Sequence, residues 1–314
     1  MKSLIFSIII FFTSICIYGQ EVVFTSVEKD LIPEGITFDS ATGNFYISSI
    51  YKNKIVKISK NSEWSDFIAS NSDGFVGGVG LHVDSKRRIL WACSGNVMGD
   101  QFRTGIFAYD LNTKKLIKKI FYPISTSQRL FNDIAIDNEG FIYITDTFDN
   151  SIWKWGISMK EPQKISIIGD LKYPNGIEIS PDNKYLFVAS NDGLKRFDFS
   201  NNRMEMIQMP KDSLTSRRLD GIQFYENSII GVQNRIGKSR IVRLYLSDEF
   251  DKVVRIELID DSNKYFNIPT TNVIANGYLY VIANSQLDNL DQDNIKIINP
   301  EILTSTFILK YKLK

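Results

Sequence analysis

The sequence predicts an all-β fold, a six-bladed β-propeller of four-stranded antiparallel blades, and three observations carry that expectation. One strand motif recurs six times along the 314 residues, at steps of roughly 45 to 50 residues, the period of propeller blades. No long stretch shows helical spacing of its apolar residues. A strand-like segment, Val22-Val23-Phe24-Thr25, precedes the first copy and has no blade of its own. It is expected to join the last blade beside C-terminal strands, which removes the exposed edge an open array would leave for aggregation.

The motif opens with Glu34-Gly35-Ile36, Val79-Gly80-Leu81, Asn132-Asp133-Ile134, Asn175-Gly176-Ile177, Asp220-Gly221-Ile222 and Thr271-Asn272-Val273. The first position varies, the second is small or turn-forming, and the third is aliphatic. A turn follows in each copy, then a second apolar strand: Phe45-Tyr46-Ile47, Leu90-Trp91-Ala92, Ile142-Tyr143-Ile144, Leu186-Phe187-Val188, Ile229-Ile230-Gly231 and Leu279-Tyr280-Val281. A third strand alternates apolar and charged residues, as in Lys54-Ile55-Val56-Lys57-Ile58 and Phe307-Ile308-Leu309-Lys310-Tyr311. Alternation with period two, β-branched and aromatic enrichment and Asn/Asp/Gly turns are the marks of antiparallel strands. The register persists without a linker, so a single domain over residues 20–314 is expected rather than two smaller β units.

Before that domain, Lys2 is followed by an apolar run over residues 4–17 and by Gly19, the pattern of a cleavable secretory signal over residues 1–19. The run is shorter than the roughly 20 residues a membrane span needs. No membrane span is therefore expected after cleavage. Ile15 stands where a lipoprotein signal needs a small residue before its cysteine, which argues against anchoring through Cys16. The expected location is outside the cytoplasm, periplasmic or secreted. Charge is balanced, 37 basic against 36 acidic side chains, with no like-charge block, so a nucleic-acid partner is not expected. Cleavage leaves Cys93 alone in an apolar run, an inert core thiol with no disulfide partner.

In a propeller the starts of the innermost strands converge near the axis on one face. The first repeat position therefore gathers Glu34, Val79, Asn132, Asn175, Asp220 and Thr271. Taken singly, Asn and Asp there are ordinary strand and turn starters. Four carboxylates or carboxamides in one register instead suit a hard divalent ion, Ca²⁺ before others. Two crowded carboxylates without a cation would force one to stay protonated.

Pro33-Glu34-Gly35, Phe131-Asn132-Asp133, Tyr143-Ile144-Thr145-Asp146-Thr147, Tyr173-Pro174-Asn175-Gly176 with Ser180-Pro181-Asp182, and Leu219-Asp220-Gly221 resemble the senescence-marker-protein/gluconolactonase/LRE-like family over about residues 30–313. More distantly, the chain is similar to paraoxonase-like and strictosidine-synthase-like propellers. The resemblance implies a six-bladed propeller whose divalent metal, often Ca²⁺, is held by Glu34, Asn175 and Asp220, with Asn132 near metal and substrate and Asp133 beside it. It also implies a small-molecule substrate, a sugar lactone or ester, whose carbonyl the metal polarises. Asp220 is then ligand and base, but a metal-bound carboxylate is a poor base, which leaves Asp133 as the other candidate.

The chain departs from the family pattern in places. Ile36-Thr37-Phe38 follows Glu34-Gly35 where Pro and an aromatic are frequent, and Leu130 replaces a substrate-contacting Arg, with Arg129 adjoining. Val79 stands where paraoxonases carry His. His82, the single histidine, is expected to be packed or to line the channel, and a zinc site of N/S ligands is not expected. A long loop over residues 94–104, with Met98, Phe102 and Arg103, is expected either to cover the site and select substrate or to be a solvated excursion. Asp146, Asn191, Asn234 and Asn284 end second strands on the same face and are expected around it, Asp146, Asn191 and Arg129 as substrate contacts. Gly237-Lys238-Ser239 lacks phosphate-loop spacing and precedes a strand, and Gly77, Gly78 and Gly80 do not form a dinucleotide motif. Two functions compete: an exported metal-dependent hydrolase of lactones or related esters, and a non-catalytic, metal-stabilised propeller that binds a carbohydrate, peptide or protein partner. Other chemistry on the same scaffold is a third.

Overall fold

The computed structural model describes residues 21–98, 101–125, 128–211, 213–291 and 293–314. The expected signal segment and its cleavage point after Gly19 lie outside the described residues. Within them the chain forms six four-stranded antiparallel sheets arranged as successive blades. Blades I to VI begin with the inner strands Pro33–Asp39, Gly78–Asp84, Phe131–Ile136, Ile177–Ile179, Leu219–Phe224 and Asn272–Ala275.

The ring closes as the orphan N-terminal strand predicts. Glu21–Thr25 pairs antiparallel with Phe307–Lys312, in the register Val22 to Leu309 and Phe24 to Ile308, and completes blade VI as its outermost strand. Each sheet has two apolar faces because alternate side chains point to opposite neighbours. This explains why second strands such as Tyr185–Ser190 read as nearly unbroken apolar runs. The core is correspondingly divided into six layers, one between each pair of adjacent blades. Trp91 and Trp155, for example, meet edge to face at 5.8 Å between blades II and III. Phe45 and Ile308 share the layer that joins blade I to blade VI. Cys93 is buried in the layer between blades II and III, and burial pushes its thiol well up. His82 is packed, with Nδ1 3.1 Å from the Ile134 carbonyl, and burial lowers its pKa.

Close approach at the axis explains the small second repeat position. A Cβ on Gly35 would lie 2.4 Å from the Val79 carbonyl oxygen, and one on Gly176 would lie 2.2 Å from that of Asp220. The glycines let each inner strand lie against the carbonyl at the first repeat position of the next blade. Gly176 N–H donates to the Asp220 carbonyl at 3.2 Å. Thr270 and Thr271 hydroxyls donate to the Glu34 carbonyl at 2.9 and 2.5 Å and carry the same contact across the closure. Gly176→Ala is therefore expected to cost about 3 kcal/mol or more and to lower Tm by roughly 5–10 °C in thermal unfolding.

One connection differs from expectation. Residues 94–98 and 101–104 are strand and not loop: Ile89–Met98 and Gln101–Asp110 are ten-residue strands paired through to Met98 and Gln101, and residues 99–100 lie outside the described residues. The ladder simply continues past the length of the other blades, because the Gly, Asn and Met read as loop residues are accommodated in an extended hairpin that Leu116–Ser125 borders as far as the Phe102–Ser125 pair.

Candidate functional site

In four blades the pairing of first and second strands slips at the first repeat position. The irregularities fall between Pro33 and Ile36, Gly78 and Leu81, Phe131 and Ile134, and Leu219 and Ile222. Such bulges release residues from the ladder and re-aim their side chains. Here they turn Glu34, Val79, Asn132 and Asp220 toward one cavity of about 580 Å³, where Asn175 joins them from just before its strand. Thr271, the sixth member of the register, donates to the Glu34 carbonyl instead.

The floor of this cavity is short of positive charge. Glu34 is buried, its Oε2 has no hydrogen-bond partner, and neither has the buried Oδ1 of Asp220. Burial, then the charges of Asp220 and Asp133, push the Glu34 carboxyl well above its usual range. Burial also raises Asp220 to about 6, opposed by hydrogen bonds from the Asn234 and Asn175 carboxamides. Asn234 Nδ2 donates to Asp220 Oδ2 at 2.6 Å and to the Pro269 carbonyl at 2.9 Å. Asn132 is held by its Nδ2 donating to the Thr147 hydroxyl at 2.9 Å.

Asp133 occupies a position that is glycine in four blades. Its carboxylate accepts the Ile177 N–H at 3.2 Å, between the inner strands of blades II and IV, and burial raises it to about 7. It does not line the cavity itself. Glu178 is a further buried acid on an inner strand, raised to about 8 by burial. Sequence reasoning passed over it because its register position is not carboxylate-rich in the other blades.

Of the residues expected around the site, Asn191 and Asn234 line the cavity, whereas Asp146, Arg129 and Asn284 do not. Asp146 is fully buried and accepts from Arg129 Nε at 3.0 Å and from the Leu130 N–H at 2.9 Å. The Arg129 guanidinium lies among the Tyr122, Phe131 and Trp153 rings at 4.4, 5.0 and 4.5 Å. Aromatic stacking and a buried carboxylate thus occupy the cation that sequence placed on the substrate. Asn284 binds the Ser305 carbonyl and the Phe307 N–H, anchoring a connection rather than facing the cavity.

That connection, residues 283–306 of blade VI, is the wall that sequence reasoning missed. It folds as a small hairpin, Leu290–Asp291 with Lys296–Ile297, flanked by short 3₁₀ turns. Leu290 and Leu303 pack on Ile32, while Leu287, Leu290 and Ile295 face the cavity. The gap between Leu279-Tyr280-Val281 and the strand beginning at Phe307 was the available signal, longer than the corresponding gap in any other blade. Opposite it, Gly95 and Asn96 of the extended blade II hairpin form part of the wall, with Asn96 Oδ1 buried and unpartnered.

The residues fit a hard cation: two carboxylate oxygens lack partners, and neighbouring carboxamides offer further oxygens. No group of three His, Cys, Asp or Glu side chains gathers as a metal cluster among the described residues. The proposed set contains only two residues of those types, Glu34 and Asp220.

The model of the SMP-30/Gluconolactonase/LRE-like region matches residues 32–223, more than half of the chain. The chain belongs to this family. At family level, membership supports a lactonase-like enzyme. No curated protein matches the chain in sequence. Solved structures share its fold at low identity. A gluconolactonase from Xanthomonas campestris is 12% identical with a TM-score of 0.59, over 90% of this chain and 86% of that one. A protein described as an oxidoreductase (glucose dehydrogenase) from Thermus thermophilus is 14% identical with a TM-score of 0.63, over 94% and 99%. Virginiamycin B lyase from Staphylococcus aureus is 14% identical with a TM-score of 0.59, over 95% and 100%. The three named activities differ, so these neighbours speak for the propeller and not for a reaction.

The raised acids give this family member a pH signature. A carboxyl whose folded pKa lies above its unfolded value binds its proton more tightly in the native state, so stability falls as pH rises between the two values. In chelator, Tm is expected to fall by several degrees between about pH 4 and pH 6 as Asp220 ionises. Asp220→Asn should flatten that fall, and a profile unchanged by the substitution would remove Asp220 as its source.

Proposed function

We propose that the chain is a divalent-metal-dependent hydrolase of lactones or related esters, with Ca²⁺ the foremost metal candidate. The observation that carries this reading is the pair of buried, unpartnered carboxylate oxygens on Glu34 and Asp220, residues that line one cavity with Asn132 and Asn175. Leaving such groups unsatisfied is costly, and a hard divalent cation offsets that cost where a protein donor is lacking. Glu34, Asn175 and Asp220 would hold the ion, with Asn132 beside it. When bound, it supplies Lewis acidity toward an ester or lactone carbonyl.

The chain's own residues do the rest. Thr147 fixes the Asn132 carboxamide, leaving its oxygen side to orient substrate. Asn234 fixes one oxygen of Asp220 and leaves the other without a protein donor. Asp133, raised to about 7, has the proton affinity a general base needs near neutral pH. Its place behind the inner strands means that a water would have to relay the proton to it. Family membership supports the reaction class, and the sequence pattern of residues 1–19 supports export to the periplasm or medium.

Purified protein is expected to contain about one divalent ion per chain and to hydrolyse aryl esters or lactones in a chelator-sensitive manner. Glu34→Ala and Asp220→Ala should each lose the metal and at least about 10²-fold in kcat/KM. Metal binding without turnover across a broad panel of esters and lactones would instead favour the non-catalytic, partner-binding reading. Exported protein should begin at Gln20 by N-terminal mass analysis.

A further inference from the structure

The approach to the inner strand passes through a left-handed residue in five of the six blades: Ile32 (φ 44°), Gly77 (φ 56°), Tyr173 (φ 45°), Arg218 (φ 58°) and Ile268 (φ 55°). Four stand two residues before the first repeat position, and Ile268 stands three before it. Only one is glycine. Bulky or β-branched residues there carry backbone strain of about 1–3 kcal/mol each, which persists where the surrounding structure requires it. Tyr173, Arg218 and Ile268 line the cavity, as does Leu130 at the equivalent position of blade III. The ring thus displays three apolar or aromatic side chains and a single charged one, Arg218.

Arg218 is exposed and has no hydrogen-bond or ion-pair partner among the described residues. The neighbouring arginines are engaged: Arg217 Nε donates to the Asn191 carbonyl at 3.3 Å, and Arg235 pairs with Asp288 at 3.1 Å. The cavity also carries an apolar set, Leu130, Leu219, Leu287, Leu290 and Ile295, beside polar residues that include Asn96 and Asn191. The Nδ2 donors of Asn132 and Asn234 are already engaged by Thr147, Asp220 and Pro269. An acyl or aryl chain would bury apolar surface against the apolar set. Charge is also polarised along the cavity, with carboxylates at the floor and a free guanidinium at the rim.

We infer that Arg218 is a specificity residue that reads an anionic group, a carboxylate, at the far end of an otherwise apolar ester or lactone whose carbonyl lies at the Glu34–Asp220 floor. This rests on the hydrolase reading for the reaction but not for the binding. The two are separated by a matched pair of probes, mono-4-nitrophenyl adipate and neutral 4-nitrophenyl hexanoate. Water splits the acyl–oxygen bond of each to give the acid and 4-nitrophenol. Their 4-nitroanilides, which resist hydrolysis, report binding by calorimetry. In the metal-loaded full-length protein, Arg218→Ala should lower the adipate-to-hexanoate ratio of kcat/KM by about two- to five-fold, the range of an exposed ion pair. The change should lie in KM more than kcat. Arg218→Glu should lower the ratio further, and Arg218→Lys should retain most of it. Turnover of both esters with a ratio unmoved in all three folded variants would overturn the inference and leave the hydrolase standing. Absence of turnover, with anilide binding that still follows residue 218, would overturn the hydrolase and leave the inference standing. Absence of both turnover and Arg218-dependent binding would overturn it outright.

Discussion

Everything in this molecule depends on how closely neighbouring inner strands approach one another at the axis. With Gly at positions 35, 80, 176 and 221, each strand lies against the backbone of the next, close enough that a single methyl group would overlap a carbonyl oxygen at several of these points. That approach sets the radius of the ring. It also sets how tightly the side chains one residue earlier are crowded together. The glycines are therefore as much part of the site as the carboxylates they precede.

Crowding has an electrostatic consequence that the fold does not relieve from its own resources. Asn234 and Asn175 support Asp220, yet Glu34 faces Asp220 and Asp133 with one oxygen unsatisfied. A domain with six apolar layers between its blades can tolerate such a cost at one end, because the layers hold the inner strands wherever the acids would push them. Under the proposed metal-dependent reading, metal binding and fold stability would be coupled by the same acids. The cation-rich groups of the chain, meanwhile, are placed away from the floor: Arg129 is locked among aromatic rings, and Arg235 and Arg218 stand at the rim.

Much of this was legible along the chain. Period-two alternation and the sixfold motif of a small or turn-forming residue before an aliphatic one imply blades because each pattern is local, written into residues that are neighbours in sequence. The final ring closure was legible too, since a strand without a blade must find an edge. Residues 94–104 misled because Gly, Asn and Met carry no β signal of their own, and pairing with the opposite strand compensated for it. Arg129 and Asp146 misled for another reason. Their residue types suit substrate as well as they suit each other, and only the positions of Tyr122, Phe131 and Trp153 decide between those uses.

The amino-acid order alone thus specifies six blades, their closure by Glu21–Thr25, and a register in which Glu34, Asn132, Asn175 and Asp220 belong together, because strand periodicity and turn chemistry act over a few residues at a time. Which side chains remain unpartnered once the ring has closed was decided only in three dimensions. The bulges that aim Glu34 and Asp220 inward, the apolar wall supplied by residues 283–306, and the pairing that occupies Arg129 but spares Arg218 all arise between segments far apart in the chain. Hydrogen-bond satisfaction is a property of the whole packed neighbourhood, and no local pattern records it.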